Sequence, residues 1–253
     1  MSKKIQRRQA LLERFSEFYQ EIVRIKTAIR ERRLALYLSN GNDAQTVNGN
    51  DLAAMVHHRL LGILQEQRRQ VTEQGTKAEE GVYQIAQYLM AAHADELFII
   101  ELDWPGRSAW AQFLLERSLF RTATAGRDFF TRLDLLLKSR SRDPLQDELG
   151  TVFLMVLQLG FQGQYRGSKR QSILRAYRSK LLQFVGSSGR YAGGAPAFSQ
   201  AYQYRLMEVR GQRLAPLRPW YNLGIILLLL YVLVSSGVWL ISIQRLNTLF
   251  VGS

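Results

Sequence analysis

The sequence predicts an all-α fold, and three observations carry that prediction. Apolar residues recur at spacings of three and four along most of the chain, no segment alternates apolar and polar residues as a half-buried strand would, and cap residues stand at the breaks. The expected architecture is a cytoplasmic helical bundle of about seven helices over residues 1–185, joined to a single C-terminal transmembrane helix.

Taking the elements in order, Leu11, Phe15, Phe18, Ile22, Ile25 and Ile29 form one apolar stripe on a long first helix. Its other faces carry basic residues, either as a solvated surface or as a second contact for lipid or a partner. SNGNDAQTVNGN, residues 39–50, reads as a loop. Leu52, Met55, Val56, Leu60, Ile63 and Leu64 then mark a second helix, capped by Asp51 or Asn50. Thr76 and Glu79 have capping-box spacing and open a third helix carrying Val82, Ile85, Ala86 and Leu89. Trp104, Pro105 and Gly106 mark a break, after which a fourth helix is expected from Ser108 and a fifth near Ala125. Asp143, Pro144 and Gln146 supply a cap, a first-turn proline and a box partner for a sixth. A seventh is expected from about Ser168 to Val185, with Ile173, Leu174, Tyr177, Leu181 and Leu182 on its apolar side. GSSGRYAGGAPA, residues 186–197, opens a flexible linker and basic juxtamembrane segment over 186–219.

The segment WYNLGIILLLLYVLVSSGVWLISI, residues 220–243, contains no charged side chain. As a helix it extends about 36 Å, enough to cross a hydrocarbon core of about 30 Å. Trp220, Tyr221 and Trp239 sit where amphipathic rings favour the headgroup region, and Pro216 and Pro219 interrupt any helix entering from upstream. A buried core helix would instead need a large domain around it, and only residues 244–253 follow. Arg205, Arg210, Arg213 and Arg218 precede the span and only Arg245 follows, so the positive-inside rule keeps the N-terminal part cytoplasmic and puts the short tail outside. The basic N-terminus has no apolar h-region, so no signal peptide is visible.

The chain contains no cysteine, which excludes a disulfide framework and cysteine-based zinc sites. Its net charge of +13 belongs to the two ends: between residues 164 and 218 the only acid is Glu208. Anionic lipid accounts for such a block, at about 1 kcal/mol for each cation close to the surface. Nucleic-acid binding would call for exposed aromatics interleaved with the cations, or for a docking module. GFQG, residues 160–163, has the Gly-x-x-Gly spacing of KH domains, but a KH domain also needs a sheet. Nucleic acid is therefore disfavoured, and a membrane-tethered binder of nucleic acid or anionic lipid through the basic ends stands as the alternative reading.

No enzyme signal emerges. Acids are densest in HADELFIIELDW, residues 93–104, yet Asp95 and Glu96 are adjacent and diverge by about 100° on a helix, so they do not converge on one atom. His57 and His58 diverge likewise and lack the spacing of a helical metal pair. Phosphate-loop, nucleophile-elbow and dinucleotide fingerprints are absent, and neither a catalytic residue, a metal nor a cofactor is implied. Asp95 and Glu96 either cap a neighbouring helix, pair with an arginine such as Arg166, or dock a partner. In LGFQGQYRG the glycines at 160, 163 and 167 let Phe161 and Tyr165 fold back onto the bundle, and Gly126 before Phe129 and Phe130 reads the same way.

Residues 95–137, DELFIIELDWPGRSAWAQFLLERSLFRTATAGRDFFTRLDLLL, followed by LGFQGQYRG, resemble the DotU/TssL (IcmH-like) family of secretion-system inner-membrane proteins. The elements carrying the resemblance are Asp95 and Glu96, the downstream Trp110, Gly126 with Phe129 and Phe130, and Leu159 through Arg166, including Gly160, Phe161, Gly163, Tyr165 and Arg166, in order before the apolar span. Where the family often has an acid early in the helix before Leu-Gly-Phe, this chain has Asp147 and Glu148 at the start and Thr151 further in. The resemblance implies a non-enzymatic scaffold in the bacterial inner membrane, its C-terminus periplasmic, that binds an IcmF/TssM-like membrane protein. Through that partner it would reach an outer-membrane lipoprotein, with self-association and lipid as further contacts. In type VI systems such a complex docks the baseplate; in type IVb systems the relative stabilises the translocation complex. The motifs favour type VI. Some type VI members carry a peptidoglycan-binding domain after the span, for which the ten residues 244–253 leave no room.

Overall fold

The computed structural model describes residues 10–39, 47–139, 143–167 and 170–186, and these contain helices and no strand. The α-helices are Ala10–Arg30 (α1), Leu34–Leu38 (α2), Gly49–Gln74 (α3), Lys77–Glu96 (α4), Leu115–Phe120 (α5), Ala125–Lys138 (α6), Pro144–Gln158 (α7) and Gln171–Gly186 (α8). A π-helical turn, Leu97–Glu101, prolongs α4, and 3₁₀ turns lie at Trp110–Gln112 and Gly163–Tyr165. No helix among the described residues is long and apolar enough to cross a membrane. The predicted span 220–243, with Arg210, Arg213, Arg218, Trp220, Tyr221 and Trp239, lies outside the described residues, as do the tail and nearly all of the linker.

α4 is the central element. It packs against α1, α3, α5, α6 and α7, while α8 lies on α7 and α6. Residues 86–95 of α4 are all buried, so the helix is enclosed on every side rather than along one stripe. Alanines at 86, 91, 92 and 94 let neighbouring helices approach closely, and Val82 and Ile85 near the N-terminus are half-buried. The α1 stripe is buried as the spacing requires, from Leu11 through Ile25, with Ile29 half-buried where the helix nears its end.

Buried polar groups lock the helices in register. The Tyr83 hydroxyl donates to the Leu64 carbonyl at 3.2 Å and Gln87 Nε2 donates to the same oxygen at 2.9 Å, tying α4 to α3. Glu21 of α1 accepts from Tyr37 of α2 at 2.7 Å and from Arg59 of α3, so one buried carboxylate joins three helices.

The capping box of α4 forms with both bonds, Glu79 N–H to Thr76 Oγ1 and Thr76 N–H to the Glu79 carboxylate. Elsewhere the helix starts differ from expectation. α3 is capped by Asn48, whose side chain accepts from Asp51 N–H at 2.9 Å, rather than by Asp51 or Asn50. The start falls at residue 49 because α3 abuts the Pro105 turn there: a Cβ on Gly49 would lie 2.2 Å from the Pro105 carbonyl oxygen, so glycine is required. Asp143 caps α7 and Pro144 occupies its first turn, but Gln146 accepts from Ser139 Oγ at 3.1 Å instead of completing a box.

The helix expected from Ser108 is not continuous. A 3₁₀ turn at Trp110–Gln112 is followed by extended backbone at Leu114, and α5 starts only at Leu115. The break sets Trp110 into the core and turns the first N–H groups of α5 inward. At the other end α8 begins at Gln171 rather than near Ser168, and Ile173 and Leu182 are exposed at 38% and 54%, because the inward side is Leu174, Leu181 and Val185 flanked by half-buried Tyr177 and Phe184.

His93 is enclosed by the bundle, its ring 6.1 Å from that of Tyr19. Burial, and secondarily the positive charge of Lys26, push it down to about 4. The unfolded chain protonates near pH 6.5 and the folded one only near 4, so His93 favours the fold at neutral pH and that advantage fades on acidification through this window. Thermal unfolding followed by tryptophan fluorescence should therefore show a deficit for His93→Leu that is largest at neutral pH and narrows toward pH 4.5, by on the order of 3 kcal/mol. A deficit that is constant with pH would show that the fold does not shift the titration of the imidazole.

A relay of buried carboxylates at the candidate functional site

The C-terminal end of α4 carries the acidic pair singled out in the sequence, and the helix delivers its two members to different neighbours. Asp95 points inward. Its carboxylate accepts Leu115 N–H and Glu116 N–H, each at 2.9 Å, and Trp110 Nε1–H at 3.1 Å. It thereby satisfies the first donors of α5 from another helix, where Leu114 offers no side-chain cap.

Glu96, one residue on, points toward the connection between α7 and α8. It accepts Gln162 N–H and Gly163 N–H, each at 2.8 Å, and Arg166 Nη2 at 2.5 Å. The same Arg166 nitrogen lies 4.0 Å from Glu101 in the π-helical turn. A cap for a neighbouring helix and an ion pair with Arg166 are thus both present, one for each acid.

A third carboxylate continues the relay, and nothing in the sequence marked it. Glu116, in the first turn of α5 and 3% exposed, accepts Thr124 N–H at 2.9 Å and Ala125 N–H at 3.1 Å. It also accepts the Tyr88 hydroxyl at 3.0 Å and Thr122 Oγ1 at 2.7 Å. Glu116 therefore caps α6 as Asp95 caps α5. A glutamate in the first turn of a short helix is ordinary, and only the return of the chain after Arg121 brings the α6 donors to it. Arg121 itself turns the chain by adopting a left-handed conformation, φ 60°.

The two glycine–aromatic elements meet beside this relay. Gly163 has φ +49°, and a Cβ there would lie 2.6 Å from the Gly126 carbonyl oxygen, so the 3₁₀ turn and the start of α6 touch backbone to backbone. With the backbones this close, Phe129 reaches Phe161 at a centroid separation of 4.4 Å and Phe130 reaches Tyr165 at 4.6 Å. Phe161 is 1% exposed and Tyr165 is half-buried. Trp110 packs against Phe98 at 4.6 Å and Trp104 at 5.8 Å beneath the π-helical turn. That turn leaves carbonyls without ordinary helical partners, and Trp104 Nε1 donates to Phe98 at 2.9 Å while Arg107 Nε donates to Ile99 at 2.9 Å.

The arrangement suits support rather than chemistry. Each acid of the relay is engaged by N–H or O–H donors from the next segment, and none is directed into a cleft. A pocket of about 210 Å³ between α1, α3, α4 and α7 is lined by Arg14, Gln70, Glu79, Tyr83 and Glu148 and shares no residue with the relay. Among the described residues no group of three or more histidines and acids is placed to hold a metal, and His57 Nε2 is hydrogen-bonded to Ser118 Oγ at 2.9 Å.

The described residues form an all-helical domain braced by internal carboxylates. The family model described as type VI secretion system protein DotU matches residues 32–241, and the chain belongs to that family. The match takes in the relay, both glycine–aromatic elements and most of the apolar run. Among solved structures the chain is similar to the cytoplasmic domain of TssL from Acinetobacter baumannii, at 22% identity and a TM-score of 0.43, covering 62% of this chain and 95% of that one. No curated protein matches.

Burial pushes the Asp95 carboxyl up to about 7, outweighing its N–H donors, and the charge of Glu116 adds to the rise. Because the folded value lies above the unfolded one, near 3.8, Asp95 contributes most below pH 4 and loses that contribution as the pH rises through 7. Asp95→Ala leaves three buried donors unpartnered and should cost on the order of 3 kcal/mol near pH 5. Unlike that of His93→Leu, this deficit should narrow toward pH 8, which denaturation at several pH values will show. Glu96→Ala should cost less, about 1–2 kcal/mol, because Arg166 retains contact with water.

Proposed function

We propose that this chain is a non-enzymatic, C-tail-anchored scaffold of the type VI secretion membrane complex. The observation that carries the reading is the family match over residues 32–241, which extends from the helical bundle into the charge-free run at 220–243. In this reading residues 1–185 form the cytoplasmic domain, 186–219 link it to the bilayer, 220–243 cross the inner membrane and 244–253 lie in the periplasm. Arg210, Arg213 and Arg218 hold the cytoplasmic side, with Trp220, Tyr221 and Trp239 at the interfaces.

The partners follow from the family resemblance. The scaffold binds an IcmF/TssM-like inner-membrane protein, reaches the outer-membrane lipoprotein through it, and presents its cytoplasmic domain to baseplate components. Asp95, Glu96, Trp110, Gly126, Phe129, Phe130, Gly160, Phe161, Gly163, Tyr165 and Arg166 serve this role by fixing the shape of the docking domain. Support comes from their engagement with one another: a face assembled from α5, α6 and the 160–167 connection keeps its form only while the relay is intact. The type IVb reading is less favoured because the matching family is a type VI one.

The test is purification of the tagged chain from its native cells in mild detergent, with mass spectrometry of what remains bound at moderately high salt. A large IcmF-like membrane protein should be recovered. Asp95→Ala should lose the partner and thermal stability together, whereas Arg210→Gln alone should leave recovery within about twofold, because Arg213 and Arg218 still set the orientation. Recovery of the chain alone, or of nucleic acid that salt strips away, would overturn the proposal in favour of the basic ends.

A further inference from the structure

The exposed half of α8 fits none of the contacts so far described. Helical projection at about 100° per residue places Ile173, Lys180, Ala176, Gln183, Ser179, Arg175 and Leu182 across one continuous arc. All are solvent-exposed, and the opposite arc of Leu174, Leu181 and Val185 packs into the bundle. The centre of the exposed arc is small and neutral, while each edge pairs a cation with an aliphatic residue, Lys180 with Ile173 and Arg175 with Leu182. No acid occurs anywhere in Gln171–Gly186.

We infer that this face of α8 lies against the anionic cytoplasmic leaflet, at headgroup depth. The inference deepens the anchored-scaffold reading and rests on it. Charge complementarity favours lipid over a protein occupant: the cations continue beyond the helix as Arg190, Arg205, Arg210, Arg213 and Arg218, opposed by Glu208 alone, up to the apolar run. Only residues 187–219 separate the end of α8 from that run. Lys180 and Arg175, one toward each edge of the face, can extend their chains to phosphates, with Ala176, Gln183 and Ser179 between them at headgroup depth.

The absence of cysteine allows a direct test with the full chain reconstituted in vesicles. A single cysteine at Ser179 would carry a fluorophore, a second variant with cysteine at the exposed Gln65 of α3 would serve as reference, and a headgroup-labelled lipid would act as quencher. In vesicles containing phosphatidylglycerol the Ser179 label should be quenched well above the reference. With Arg175→Gln and Lys180→Gln together, association of the face should weaken about thirty-fold, from roughly fivefold for each charge near the surface, and quenching should fall to the reference level. Both residues are exposed, so the substitutions leave the core untouched, and the tryptophan signal of the fold provides the check. A chain that floats with the vesicles while its Ser179 label stays at the reference level overturns this inference alone. A chain that fails to float in any lipid overturns the anchor as well. Protection of the Ser179 thiol in native cells without quenching in vesicles would assign the face to a protein partner and also overturn the inference.

Discussion

The start of a helix leaves N–H groups without partners, and burying it without a cap costs about as much as the helix gains from packing. In this fold three helix or turn starts are wholly or partly covered by the bundle, and three carboxylates from other segments satisfy them, two buried and that of Glu96 half-buried. Asp95 serves α5, Glu116 serves α6, and Glu96 serves the turn that leads into α8. Each acid belongs to the element preceding the one it caps or to the central helix. The path of the chain from residue 95 to residue 166 is consequently held by ionisable groups as much as by apolar contact.

This device explains features that are puzzling one at a time. α5 is only six residues long and has no side-chain cap of its own, yet its first donors are fully engaged. Trp110 is wholly buried with its indole nitrogen partnered because the carboxylate that caps α5 also accepts from it. The Gly126–Gly163 approach places the α6 start against the turn that Glu96 holds, so the aromatic cluster of Phe129, Phe130, Phe161 and Tyr165 depends on the acids next to it. Each buried acid would be costly alone, and the donors converging on it are what make the arrangement tolerable.

Several local signals in the sequence hold where both partners lie within one turn, although α3 is capped by Asn48 and Gln146 turns to Ser139 instead of completing a box. The Thr76–Glu79 box, the Asp143–Pro144 start and the α1 stripe all involve residues three or four apart. The glycine–aromatic elements were legible as packing devices because glycine next to aromatics limits what the backbone can do; Gly160, φ +113°, adopts the conformation expected of it. Asp95 and Glu96 could be singled out but not assigned, since their donors stand 15 to 70 positions away. Glu116 and Glu21 gave no signal at all, being acids on otherwise ordinary helices, and the π-helical turn after α4 depends on Trp104 and Arg107 reaching back for its carbonyls. Ile173 and Leu182 are exposed, contrary to expectation, because periodicity does not say how wide an arc of a helix its neighbours cover.

The relay makes its strongest claim about amides that would otherwise be among the weakest points of the domain. Hydrogen exchange on the full chain should find Leu115, Glu116, Thr124, Ala125, Gln162 and Gly163 protected to a degree comparable with the middle of α4, since their opening requires the buried acids to be exposed. Rapid exchange at these positions, at rates typical of uncapped first turns while α4 stays protected, would contradict the view that the carboxylates hold this part of the fold together.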